Sequence, residues 1–143
     1  MLRLSALFTG FTLLTLSVDA QDKKDDKKAI QGTWNAKKGD QAVILKVDAE
    51  KFIFELGGNS IEGTYALDSS KTPKHIDLTI TGGTDPGAMK FQGQTSKAIY
   101  ELDGDRMKWH APEPGNQDRP TAFPNDGEQI PKTLTLTFDR EKK

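Results

Sequence analysis

An all-β fold is predicted, an eight-stranded antiparallel up-and-down barrel, and three observations predict it. From Gly32 onward the apolar residues recur with a period of two, the period of a strand with one buried face. Clusters of Gly, Asp and Asn interrupt that alternation at short intervals, as tight turns do. No segment carries a helical apolar stripe long enough to cover an open sheet. Closure removes both edges and buries the apolar face, whereas an open sheet exposes them. A two-sheet sandwich uses the same alternation and is the rival architecture.

The chain begins with a different pattern. Met1 and Arg3 precede an apolar run over 4–16, too short to span a bilayer, and Val18-Asp19-Ala20 has the small residues of a cleavage site. Residues 1–20 therefore read as a signal peptide, which implies an exported protein, periplasmic or extracellular. Residues 21–29 are a charged, solvated leader, with a short helical turn ending near Ala29 and Ile30. Residues 30–143 form the barrel domain; the 143-residue chain has room for one core. Removing residues 1–20 takes away Arg3 and Asp19 and leaves the net charge at −1, which argues against a nucleic-acid partner. With no cysteine, an exported domain has neither disulfide nor lipidated cysteine and is held by packing. No second apolar segment of spanning length occurs, so membrane integration is not expected.

The strands follow in order. The first covers 32–37. The second, 42–47, puts Val43, Leu45 and Val47 on one face, and the third, 51–56, puts Phe52, Phe54 and Leu56 together. Gly57-Gly58-Asn59 supplies the positive-φ residues of a tight hairpin. The fourth, 60–67, aligns Ile61, Gly63, Tyr65 and Leu67; the fifth, 74–81, aligns Ile76, Leu78 and Ile80. Residues 82–93 read as a loop. The sixth strand, 94–102, offers Ala98, Tyr100 and Leu102, and Asp103-Gly104 signals a two-residue hairpin into the seventh, 105–110, with Met107 and Trp109 inward. Residues 111–131 hold five of the seven prolines and read as a long surface loop, which Arg119-Pro120-Thr121 pins back onto the barrel. The eighth strand, 132–138, alternates Leu134, Leu136 and Phe138 against threonines.

Two resemblances attach to these residues. Gly32-Thr33-Trp34 resembles the Gly-x-Trp motif of lipocalins, whose tryptophan lies across the barrel bottom beneath an arginine from near the last strand; Arg140 occupies that place here. The resemblance implies a barrel-closing role for Gly32, Trp34 and Arg140. The ordered segments Ile30-Gln31-Gly32-Thr33-Trp34, Ile61-Glu62-Gly63-Thr64-Tyr65, Pro73-Lys74-His75-Ile76-Asp77-Leu78, Tyr100-Glu101-Leu102-Asp103-Gly104-Asp105 and Arg119-Pro120-Thr121-Ala122-Phe123 are similar to a lipocalin-like domain family of unknown function, numerous in planctomycete bacteria. That family implies a lipocalin-like fold and an exported setting, and supplies no catalytic residues. Trp109-His110 stands where a cysteine is common, so no redox role carries over.

For chemistry, His75 and His110 are the only histidines, and neither has a histidine or cysteine at metal-ligand spacing. His75 alternates outward, and His110 opens the long loop near Glu113 and Asp118. No nucleophile elbow or phosphate-binding glycine loop occurs, and the carboxylates sit in turns or on the outer face. Neither an enzyme nor a metal or cofactor is expected. An eight-stranded barrel is filled by side chains or holds one small ligand. The leading expectation is that Phe54, Tyr65, Tyr100 and Trp109 line a site for a small apolar or amphipathic molecule. The alternative is a filled barrel serving as a protein-interaction or structural module of the cell envelope, with its two long loops as contact surface.

Overall fold

The computed structural model describes residues 26–142; the predicted signal peptide and most of the leader lie outside them. Eight strands follow one another around a closed barrel: β1 (Gly32–Lys38), β2 (Gln41–Val47), β3 (Lys51–Leu56), β4 (Asn59–Asp68), β5 (Lys74–Gly83), β6 (Thr95–Asp103), β7 (Arg106–Pro112) and β8 (Thr133–Arg140). Each pairs antiparallel with its neighbours in sequence, and β1 meets β8. Alternation does this locally: Val43, Leu45 and Val47 are buried, while of the residues between them Ile44 is half-buried and Lys46 exposed.

The turns are set by residues that tolerate positive φ. Gly57 and Gly58 (φ 58° and 83°) make the two-residue β3–β4 turn. The β6–β7 turn consists of Gly104-Asp105, with Asp103 opposite Arg106, one residue on from the predicted Asp103-Gly104. Between β4 and β5 the register slips at Glu62/Gly63, and a Cβ at Gly63 would strike the Thr79 carbonyl and the Phe52 ring.

Pairing also carries strands into segments that composition assigns to loops. β5 continues to Gly83, and within the predicted loop a one-turn helix, Pro86–Met89, is capped by Asp85, whose Oδ1 accepts from the Ala88 amide at 3.0 Å. β7 continues through Ala111 and Pro112, opposite Leu134 and Thr133. Proline is tolerated there because it ends the strand.

The core is asymmetric along the barrel axis. At the end where β1 begins and β8 finishes, Ile30, Trp34, Ile76, Tyr100, Met107 and Phe138 are fully buried. A helical turn over 26–29 leads in, and the segment 26–31 lies against this end. Trp34 Nε1 donates to the Ile30 carbonyl at 2.9 Å. The Arg140 guanidinium lies 4.1 Å from the centroid of the Trp34 ring, donates from Nη1 to the Gln31 carbonyl at 2.8 Å and from Nη2 to the Ala29 carbonyl, and pairs through Nε with Asp105 at 3.2 Å. Positive φ at Gly32 (129°) lets the chain turn there, and a Cβ would press on that guanidinium.

Candidate functional site

The opposite end is open. Inward positions there are smaller: Ser96 on β6, Ala111 on β7 and Leu134 on β8 replace the tyrosine, methionine and phenylalanine of the closed end. The result is a cavity of about 390 Å³ in the barrel mouth. Its floor and walls are Phe52 and Phe54 of β3, Ile61 of β4, Leu78 and Ile80 of β5, and Trp109 of β7. Ala88 and Phe91 of the β5–β6 connection and Pro114 and Leu134 on the far side complete the rim. The polar groups at this lining are few: Ser96 Oγ is already committed to the Pro112 carbonyl at 2.7 Å, and Lys38, Asp85, Glu113 and Lys132 stand at the margin.

The four residues expected to line a site separate into two pairs. Phe54 and Trp109 line the mouth cavity. Trp109 is edge-on to Phe138 (centroids 5.2 Å apart) and to Phe52 (6.5 Å), and its buried Nε1 has no hydrogen-bond partner among the described residues. Tyr65 and Tyr100 do not line it. The Tyr65 hydroxyl donates to the Asp48 carbonyl at 2.6 Å, and partial burial, with Asp48 adding to it, raises its pKa. Tyr100 is fully buried at the closed end and donates to Asp26 Oδ2 at 2.6 Å, the oxygen that also pairs with Lys74 at 2.9 Å. Burial first, then the bond to Asp26, pushes its phenol well above the ordinary range. Gly32, Trp34 and Arg140 all belong to the closed end, as described above.

The histidines sit outside the mouth. His110 is in β7, as predicted, but the strand runs on past it to Pro112. Its side chain points to the outer wall and is nevertheless 1% exposed, because Phe123 of the long loop covers it (centroids 6.5 Å) and Thr135 Oγ1 bonds Nδ1 at 2.7 Å. Burial, then the nearby Lys108 charge, lowers its pKa. The pKa of half-buried His75 is lowered first by desolvation, then by Arg119. Among the described residues no three His, Asp or Glu side chains converge as a metal site would need.

The long loop is pinned by Arg119, which donates to the Ala98 carbonyl at 2.6 Å and pairs with Asp77 at 2.5 Å. Farther along, 124–131 stands off from β8 and leaves a groove of about 610 Å³, lined by Lys37 and Lys38 of β1, Lys108 of β7, Thr133–Thr137 of β8 and the loop itself. Sequence reading missed this groove, since lysines and threonines alternating outward look like a solvated face. The one available signal was Ile130, apolar in a polar loop, which is 38% exposed at the groove.

Comparison with protein-family models, with curated proteins and with solved structures finds no match.

Proposed function

We propose that this chain is an exported, lipocalin-like binding protein that takes one small apolar or amphipathic molecule in the barrel mouth. The observation that carries the reading is the apolar cavity of about 390 Å³. Ligand pockets run from about 300 to 1,000 Å³, so this one suits a single small guest. Burial of apolar guest surface against Phe52, Phe54 and Trp109 supplies the affinity, at about 25 cal/mol per Å² before the cost of ordering.

The mouth cavity favours this over a filled barrel acting through its loops. Binding is favoured over catalysis because the titratable groups at the mouth are marginal, Asp85 already caps a helix, and both histidines belong to the outer wall. Export rests on the pattern of residues 1–20 alone.

The test is titration of the purified protein with a neutral fluorescent apolar probe, beside the variant Ala111→Phe, which fills the mouth. The expected outcome is saturable one-to-one binding that Ala111→Phe weakens at least tenfold while the melting temperature holds. Absence of saturable binding to the unaltered protein, or equal binding to the variant, rejects the reading.

A further inference from the structure

One junction of the closed barrel is joined by a short ladder. The other seven are joined by ladders of five or more residue pairs, whereas β1 and β8 are paired only at Trp34↔Arg140 and Asn35↔Asp139. Continuing that register would set Ala36, Lys37 and Lys38 opposite Phe138, Thr137 and Leu136, and no such pairs form. β1 then turns at Gly39 into β2, so Thr133–Thr135 extend beyond the end of β1.

The side groove lies along β8. On β8, Leu134 and Leu136 point inward and Thr133, Thr135 and Thr137 point outward, yet both sets line the same groove. A groove along the outer side of β8 borders the backbone of successive residues, so Leu134 and Leu136 belong to its wall although their side chains point inward. It also shares Lys38, Thr133 and Leu134 with the mouth cavity. The two spaces adjoin at the rim of the barrel: one apolar, the other polar.

The polar side carries lysines on the strands and acids on the loop. Lys37, Lys38 and Lys108 approach from β1 and β7, and none of the three forms an ion pair among the described residues; Lys108 Nζ stands 5.0 Å from the Phe123 ring centroid. Asp126 and Glu128 enter from the loop, and Glu128 Oε2 accepts from the Asn125 amide at 3.2 Å. With three lysines against two acids, the groove is cationic on balance. Lysines on a free edge also discourage pairing with a second strand, a role that confers no preference among small ligands.

The geometry points to a single-chain amphiphile with an anionic headgroup (carboxylate, sulfate or phosphate) as the guest. Its tail lies in the mouth cavity, and its head crosses the shared rim at Lys38 and Thr133 to meet Lys37, Lys38 and Lys108. This rests on the mouth being a binding site. Desolvation drives the tail, and the lysines choose the head.

Calorimetric titration with dodecanoate, dodecanol and dodecyltrimethylammonium separates the two. Dodecanoate binds at least about tenfold tighter than dodecanol, the cation binds weakest, and added salt narrows the difference. Acetate, a head without a tail, does not bind measurably. The combined substitution Lys37→Gln, Lys38→Gln and Lys108→Gln weakens dodecanoate about three- to tenfold and leaves dodecanol within about twofold. The same positions changed to Arg keep the preference. Melting temperatures of both variants confirm that each is folded. Equal binding of all three amphiphiles, or a dodecanoate preference that survives the glutamine variant, overturns the headgroup inference while leaving the mouth site in place. Failure of every tailed compound to bind overturns the mouth site itself.

Discussion

Replacing Trp34 with alanine removes the side chain that the closed end is built on. The ring is fully buried, its N–H satisfies the Ile30 carbonyl, and its face carries the Arg140 guanidinium at 4.1 Å. Truncating a buried tryptophan costs about 3–5 kcal/mol through lost transfer energy and the cavity left behind. The cation–π contact is worth about 0.5–2 kcal/mol where partly desolvated, and the orphaned carbonyl about another 1 kcal/mol. These losses overlap, because the same atoms are counted in packing and in the ring contact, so about 5 kcal/mol is the expected cost. A domain has only about 5–15 kcal/mol in hand, which puts the variant near the limit of folding. Urea unfolding followed by circular dichroism reads this as a midpoint lowered by about 2 M at unchanged slope. Trp34→Phe keeps a ring beneath the guanidinium and should cost only about 1–2 kcal/mol. A loss below about 1 kcal/mol for Trp34→Ala would refute the reasoning, since surface substitutions already reach half of that.

Three further outcomes follow from the geometry. Arg119→Met removes the ties to the Ala98 carbonyl and Asp77, so limited proteolysis should cut within 113–132 faster, with a stability loss of about 1–3 kcal/mol. Gly63→Ala forces a Cβ into the Thr79 carbonyl and the Phe52 ring; urea unfolding should show a stability loss of about 1–3 kcal/mol, the carbonyl being unable to move aside. The pKa of His110 is lowered in the folded state, so the unfolded chain binds the proton more readily as pH falls through about 6.5. Stability from this residue is thus present above about pH 6.5 and lost on acidification below it, until the lowered folded pKa is passed. Thermal melts at about pH 7.5 and 5.5 should show a smaller acid loss in His110→Asn than in the unaltered protein; His75→Asn, whose pKa shifts the same way, is the comparison needed to apportion the effect.

Much of the barrel was legible because strand alternation is a local property. Val43, Leu45 and Val47, or Leu134, Leu136 and Phe138, declare a buried face whatever they pack against, and Gly57-Gly58 declares a turn because few other residues accept the backbone it needs. Strand ends were less legible. Gly82, Gly83, Ala111 and Pro112 look like loop residues, and they extend strands because β4 and β8 are there to pair with. His110 ended the predicted seventh strand where the long loop opens; it is buried on the outer wall because Phe123 of that loop closes over it.

The candidate site divides along the same line. Alternation placed Phe54, Tyr65, Tyr100 and Trp109 inside, but says nothing about height along the barrel. Height follows from strand register: Tyr100 sits opposite Lys74 and Trp109 near the closed end of β6, where Asp26 takes its hydroxyl, whereas Phe54 opposite Leu45 and Ile61 faces the open mouth. The sequence by itself determined the inward face of each strand and the turns between them, since those depend on neighbours one to four residues away. Only the tertiary structure decided which end is plugged, where the cavity lies, and that the β1–β8 ladder ends at Asn35↔Asp139. Those features depend on register between strands about a hundred residues apart, and a local pattern of hydrophobicity carries no register.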